Sequence, residues 1–330
     1  MVNVGLMSFA HLHQHSYAGC LKEHPGATIC GVFDEDEERG KQMAESLGTD
    51  YFADQDKLLA QPIDAVVICS ENAKHCGMAV AAANADKHIL CEKPIATTLE
   101  DAKKMIDTAQ ENGVRLMIAF PCRYAPSLIR VKEMVNDGKF GKVLAVRTTN
   151  HGSMPGGFFP VKALSGGGAV MDHTVHVADL IRWIFGIEAV SLYAEIDRRF
   201  YDDIDTEDCG MLNIEYEGGV IVSHDPSWSR LPCYPTWGDV TMEVLGDKGV
   251  VYVDAFNQKM TLYSMEETHA TWVNWGDDMD MGLISDFITM VETNGEPPIT
   301  GYDGYKALEV TMAAYRSGET GKKVSLPLQD

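Results

Sequence analysis

Short apolar runs rich in β-branched residues alternate with helical stretches over the first third of the chain. Val2–Met7, Thr28–Phe33, Ala65–Cys69, His88–Cys91 and Arg115–Ala119 read as strands, and Gln14–Glu23, Glu35–Leu47, Ala73–Asn84 and Leu99–Asn112 read as helices between them. This alternation builds a doubly wound parallel sheet wrapped by helices, which takes ligands at the carboxyl ends of its strands. Residues 1–120 are therefore a nucleotide-domain candidate. Beyond Pro121 the pattern changes. After a helix at about Ala125–Asp137, strand-like runs recur at Val143–Thr149, Ser191–Ile196, Gly210–Tyr216, Val220–Ser223, Asp239–Leu245, Gly249–Val253 and Met260–Tyr263. Several alternate apolar with polar residues and join through glycine turns such as Glu217-Gly218-Gly219, the mark of an antiparallel sheet. Helices at Gly282–Asn294 and Asp303–Ser317 close the chain, so residues 121–330 form a second α/β domain on a largely antiparallel sheet.

Composition narrows the partners. The 330 residues carry 27 Lys and Arg against 49 Asp and Glu, a formal charge of -22 that repels phosphate backbones and anionic lipid, so neither nucleic acid nor membrane is an expected partner. No apolar run approaches the length that spans a bilayer. The eight cysteines are scattered, with no C-x-x-C pair and no signal peptide, as expected of reduced thiols in a cytoplasmic protein.

The stretch richest in chemistry is Ser165-Gly-Gly-Gly-Ala-Val-Met-Asp172-His173-Thr-Val-His176-Val-Ala-Asp179. Three glycines precede an apolar period near 3.6, predicting a tight turn and a helix that starts near Ala169. Asp172 and His176 then project from one face as an acid/base pair, and the bare glycine backbone is open to a ligand. The plainer alternative is a core helix with a satisfied histidine.

Four further places lie at strand ends, where such a sheet takes its ligands. The first turn, Gly5-Leu-Met-Ser8-Phe9-Ala10-His11-Leu-His13, offers Ser8, Ala10 and His13 against G-x-G-x-x-G; Ser8 and Ala10 are small enough for pyrophosphate to approach, whereas His13 implies a looser or displaced turn. His11, His13 and His15 are expected to splay, which argues against a metal. Asp34 ends the second strand where a carboxylate takes the adenosine ribose hydroxyls and repels a 2'-phosphate, or else it and its acidic followers cap the next helix. Ser70-Glu71-Asn72-Ala-Lys-His75 follows the next strand, and Glu92-Lys93-Pro94 the one after, delivering Lys93 where it can polarise an oxygen. A metal held by Asp172, His173, His176 and His151 is disfavoured, because adjacent helical residues point about 100° apart. No metal is expected.

Glu92-Lys93-Pro94, then Gly166-Gly167-Gly168 leading to Asp172-x-x-x-His176, resembles the Gfo/Idh/MocA oxidoreductases, the glucose-fructose oxidoreductase and inositol dehydrogenase family. Ser70-Glu71-Asn72-x-x-His75 is similar to that family's T-P-N-x-x-H loop, with Glu71 in place of proline. The resemblance covers essentially the whole chain. It implies an N-terminal Rossmann domain, a C-terminal domain on an open sheet that mediates a homo-oligomer (dimer or tetramer), and NAD as cofactor. It also implies cofactor contacts from Ser8, Phe9, Ala10, Asp34, Ser70, Asn72, His75, Glu92, Lys93 and Arg123. Substrate is expected to meet Lys93, His151, Asp172, His173 and His176, in the cleft between domains. The implied activity is hydride transfer between nicotinamide and a hydroxyl of a sugar, polyol, inositol or glycoside, with Lys93 on the reacting oxygen, His176 as base and Asp172 orienting. Two alternatives are an enzyme that retains NAD and cleaves a glycoside by transient oxidation and elimination, and a sugar-responsive regulator without chemistry. Trp228–Trp237 and His151–Phe159 are candidate rim segments, with core packing the commoner role of such rings.

Overall fold

The computed structural model describes residues 1–234, 236–256, 258–262, 271–274 and 277–329. Its contacts divide the chain into two compact units, one of Met1–Pro121, Ala163–Gly166 and Met279–Tyr305 and the other of Cys122–Lys162, Gly167–Asp278 and Lys306–Asp330.

The first unit holds strands β1 (Val2–Met7), β2 (Ala27–Phe33), β3 (Tyr51–Phe52), β4 (Ala65–Ile68), β5 (His88–Glu92) and β6 (Leu116–Ala119). They form one sheet in the order β3-β2-β1-β4-β5-β6, with every pair parallel. β4 and β6 are buried along their whole length, as strands covered on both faces require, and this is why they read as continuous apolar runs. Helices α1 (His13–Glu23), α2 (Glu37–Leu47), α3 (Gln55–Leu59), α4 (His75–Asn84) and α5 (Leu99–Glu111) connect them. β3 and α3 escape the sequence pattern because a two-residue strand and a single helical turn have no period to detect. α2 starts two residues later than its acidic run because Asp36 is its N-cap, accepting from the Arg39 amide, and it stops at Gly48 in the left-handed region. The order of strands reverses between β1 and β4, so Ser8, Asp34, Ser70 and Lys93 all sit at or just past the carboxyl ends where such sheets bind ligands.

The second unit begins its regular structure with α6 (Pro126–Asn136) and β7 (Val143–His151). The short α7 (Lys162–Ser165) precedes α8 (Ala169–Phe185), followed by β8 (Ala189–Asp197), β9 (Cys209–Tyr216), β10 (Val220–Ser227), β11 (Thr241–Gly246) and β12 (Val250–Asp254). Among the described residues β13 (Lys259–Leu262) and β14 (Thr271–Asn274) pair with each other, and Tyr263, expected at the end of the former, lies outside the described residues. α9 (Met279–Thr293), which falls in the first unit, α10 (Gly301–Thr320), divided between the units at Tyr305, and β15 (Val324–Ser325) complete the chain. The large sheet runs β12-β11-β7-β10-β9-β8-β15 and is antiparallel except for β7 with β10. β9 alternates buried with exposed residues, so one face of the sheet is apolar, and α8 packs against β7, β9 and β10. No helix among the described residues is long and apolar enough to cross a membrane, and each of the eight cysteines is a free thiol.

Candidate active site

α8 starts at Ala169, as its sequence predicts, but the three glycines before it do not leave backbone open to a ligand. A Cβ at Gly166 would lie 2.6 Å from the Thr97 methyl, one at Gly167 1.9 Å from the Tyr315 hydroxyl, and one at Gly168 1.7 Å from the Glu207 carbonyl oxygen. The glycines therefore admit the protein's own groups. Glu207 is the residue that sequence reasoning missed here. Its Oε1 accepts the Gly168 amide at 2.8 Å, the Val170 amide at 3.0 Å and the Tyr315 hydroxyl at 2.7 Å, and its carbonyl accepts the Ala169 amide. A carboxylate at a helix N-terminus meets both the orphan amides and the helix dipole. Burial nonetheless pushes its pKa up. No local motif announces it, since the cap arrives from far along the chain. Glu207→Ala would strand three donors, each costing about 1–3 kcal/mol when buried. The variant should unfold at clearly lower denaturant with an unchanged slope, whereas Glu207→Gln should recover part of the loss.

The buried face of α8 presents Asp172, His176 and Asp179 in successive turns, 4%, 8% and 0% exposed. His176 Nδ1 lies 4.0 Å from Cys122 Sγ, and Asp172 Oδ2 accepts a long bond from the indole N–H of Trp228 at 3.4 Å. Trp228 is thus a core ring that also touches the acid/base pair. His173 and Asp172 do converge, contrary to the 100° argument, with His173 Nε2 3.2 Å from Asp172 Oδ2. Divergent Cβ directions do not prevent long side chains from meeting at their tips. His173 is fully buried with its ring edge-on to Trp237 at 5.3 Å.

Two expected contacts are otherwise employed. Arg123 was expected on the cofactor, but its guanidinium forms a buried two-pronged pair with Asp179, Nε to Oδ2 at 2.8 Å and Nη2 to Oδ1 at 2.5 Å, one turn beyond His176. His151 was expected on substrate; its Nδ1 lies 3.1 Å from Asp239 and its Nε2 3.1 Å from Asp225, with Arg230 also on Asp239. Burial opposes its charge, yet the two carboxylates prevail and raise its pKa to about 9. A ring held as a cation at neutral pH is no general base. Because its folded pKa exceeds the ordinary 6.5, the stability it contributes is complete below about pH 6.5 and is lost as pH rises through about 9. Thermal melts from pH 6 to 10 should show this decline, and His151→Gln should flatten it.

In the other unit the first turn is tied down internally. The amides of Ser8, Phe9, Ala10, His11 and His13 donate to Phe33 O, Asp34 Oδ2, Ser8 Oγ, Cys69 O and His11 Nδ1, and Ser8 takes a left-handed φ of 69° where the fingerprint has glycine. These bonds hold the turn, so it is not loose, and α1 starts directly after it at His13. Asp34 is fully buried with four donors on its two oxygens: Phe9 N and Arg39 Nε on Oδ2, Asp36 N and Arg39 Nη2 on Oδ1. A carboxylate has about four acceptor sites. A ribose hydroxyl can reach it only by displacing a donor, and the Arg39 side chain, 33% exposed, is the one able to leave.

Beyond β4, His75 has Nδ1 2.9 Å from Pro94 O and Nε2 3.3 Å from Ser70 O, so it braces the turn after Lys93 rather than offering a nitrogen to a cofactor. Asn72 donates to Ser165 O at 2.9 Å, while its buried Oδ1 accepts no hydrogen bond. Such an orphaned acceptor beside Ser70 at the strand ends suits a polar ligand, and the site fits a dinucleotide. Lys93, 3% exposed, follows Glu92 at the end of β5. Glu92 accepts the Tyr17 hydroxyl at 2.9 Å. Burial works against its charge, but His13 and His11 hold its carboxyl far below the usual range. His11 and His13 do not splay as expected: their rings meet edge-on at 4.5 Å, while only His15 turns away, toward Phe9.

These two arrangements, a doubly wound sheet with polar strand ends and a mixed sheet carrying a buried Asp-x-x-x-His helix, define an oxidoreductase of the dinucleotide-binding class. Residues 3–120 match the model of an oxidoreductase family with an NAD-binding Rossmann fold, and residues 128–252 match the GFO/IDH/MocA C-terminal domain. The chain is 30% identical to the uncharacterized oxidoreductase YrbE of Bacillus subtilis, over 92% of this chain and 90% of that one. It is 27% identical to the myo-inositol 2-dehydrogenase of Thermotoga maritima, over 98% and 97% respectively. Among solved structures, GenD2 from gentamicin A biosynthesis in complex with NAD superposes with a TM-score of 0.90 at 27% identity, covering 99% of this chain and 97% of that one. The chain belongs to the Gfo/Idh/MocA oxidoreductase family, and its cofactor is NAD.

Proposed function

We propose that the protein is an NAD-dependent dehydrogenase acting on a hydroxyl of a sugar, polyol, inositol or glycoside. The observation that carries this is the placement of Asp172 and His176 one turn apart on the buried face of α8, together with a buried lysine at the end of β5. The myo-inositol, scyllo-inositol and D-apiose dehydrogenases among the relatives favour a polyhydroxylated substrate. The chemistry that NAD would supply when bound is that of hydride acceptor or donor for the carbon bearing that hydroxyl. Lys93 donates hydrogen bonds to the reacting oxygen and favours its developing negative charge. His176 takes the hydroxyl proton, which is too weakly acidic to leave unaided, and imidazole titrates near neutrality as that task requires. Asp172 orients the substrate or the imidazole. The cofactor is held by Ser8, Phe9, Ala10, Asp34, Ser70, Asn72, Glu92 and Lys93, with Arg39 now part of the adenosine end. The reading includes a homo-oligomer, supported by the exposed apolar residues Leu144, Met211, Ile221 and Tyr252 on the large sheet.

A panel of hexoses, inositols, polyols and glycosides, screened for NADH formation, tests the reading. At least one class should reduce NAD with saturation kinetics. A protein that binds NAD tightly yet reduces it with no member of the panel would contradict it.

A further inference from the structure

We propose that His11, His13 and Glu92 form a binding site for one divalent transition-metal ion of the zinc class, at the carboxyl ends of β1 and β5. His11-x-His13 alone is weak, because alternate residues in a loop usually diverge. Here the loop is fixed: the His11 amide is bonded to Cys69 O at 2.9 Å, and Leu12 already has helical angles. One nitrogen from each imidazole and one Glu92 oxygen consequently lie within 4.8 Å of one another.

The His13–Glu92 distance is compatible with two ligands of one ion as well as with an ion pair. His13 Nδ1 is 3.3 Å from Glu92 Oε1. A charge-assisted N–H···O bond closes to about 2.7–2.9 Å. By contrast, two ligand atoms on a tetrahedral ion with bonds of about 2.0–2.1 Å are roughly 3.3 Å apart. Glu92 Oε1 is buried with no hydrogen bond of good geometry, only the 3.3 Å approach of His13 Nδ1, so a cation between them would complete its coordination. Its second oxygen takes the Tyr17 hydroxyl at 2.9 Å, the outer hydrogen bond that commonly orients a ligating carboxylate. His11 Nδ1 accepts the His13 amide at 3.2 Å, at the long end of the range, and coordination through that nitrogen would replace this bond. Two imidazoles and one carboxylate suit zinc, cobalt or nickel rather than calcium or magnesium, which prefer oxygen alone. Three protein ligands leave a fourth position for water or for an oxygen of a bound ligand.

The test uses the full chain, freed of metal with a chelator, without dinucleotide or substrate, so its outcome is independent of the dehydrogenase reading. Titration with Co²⁺ should produce, at one equivalent, the intense visible absorption of a four- or five-coordinate ion, and Zn²⁺ should abolish it. His11→Ala and His13→Ala should each weaken binding by about 100-fold or more, and Cys233→Ser, which removes an exposed thiol, should leave it unchanged. His13→Gln serves as the second variant if circular dichroism shows that an alanine variant has unfolded. Absence of stoichiometric uptake, or uptake that survives both histidine substitutions, would overturn the proposal.

Discussion

Lys93→Ala and His176→Ala are each expected to lower turnover by roughly 10²-fold to 10⁴-fold, with the double variant losing little more. Non-additivity is the informative part. If the lysine stabilises the oxygen from which the histidine removes a proton, either loss spoils the same transition state, and the second has little left to remove. Independent roles would instead multiply. Dinucleotide affinity should change far less for His176→Ala, because α8 lies outside the nucleotide-binding unit. Steady-state kinetics with the substrate found by screening, alongside NADH titration, measures both. Near-normal turnover of His176→Ala would show that the base is misassigned. His151 is a poor replacement candidate, because two carboxylates hold it as a cation.

Asp34→Ala is expected to weaken NADH binding and to erase most of the preference for NADH over NADPH. The carboxylate gathers Phe9 N, Asp36 N and both arms of Arg39, so its loss unfastens the first turn and releases a guanidinium at the adenosine end. Hydrogen bonds to a charged group contribute about 1.5–3 kcal/mol, so a 10- to 100-fold loss of NADH affinity is the expected scale. The freed guanidinium should at the same time favour a 2'-phosphate. Arg39→Ala separates the effects: it should keep the NADH preference while making Asp34 easier for ribose to reach. Fluorescence titration of both dinucleotides reads these outcomes. An unchanged NADPH-to-NADH ratio in Asp34→Ala would reduce the carboxylate to a structural clasp.

Why some of this was legible in the sequence and some was not follows from range. β4 and β6 are apolar throughout because both faces are covered, and α8 announces its start by glycines and its face by period, so these survive reading one residue at a time. Lys93, Asp172 and His176 stand out because each falls at a strand end or on a helical repeat. The partners that decide what such groups can do come from elsewhere. Arg39 fills Asp34, Asp179 takes Arg123, Asp225 and Asp239 clamp His151, and Glu207 caps α8. The glycines before α8 carry the same lesson: their smallness is visible, but whether it admits a ligand or Tyr315 and Glu207 depends on residues far along the chain. His11 and His13 converge on a glutamate at the end of β5, which no spacing within the first turn could show.

The central claim is that a carbon-bound hydrogen of a polyhydroxylated substrate passes to NAD. The most direct measurement is to deuterate the substrate at the oxidised carbon and examine the dinucleotide, free and protein-bound, by mass spectrometry. The account predicts one deuterium in the NADH formed, and far less formation by Lys93→Ala and His176→Ala. Substrate conversion with no deuterium in the dinucleotide, and no reduction of it, would contradict the account.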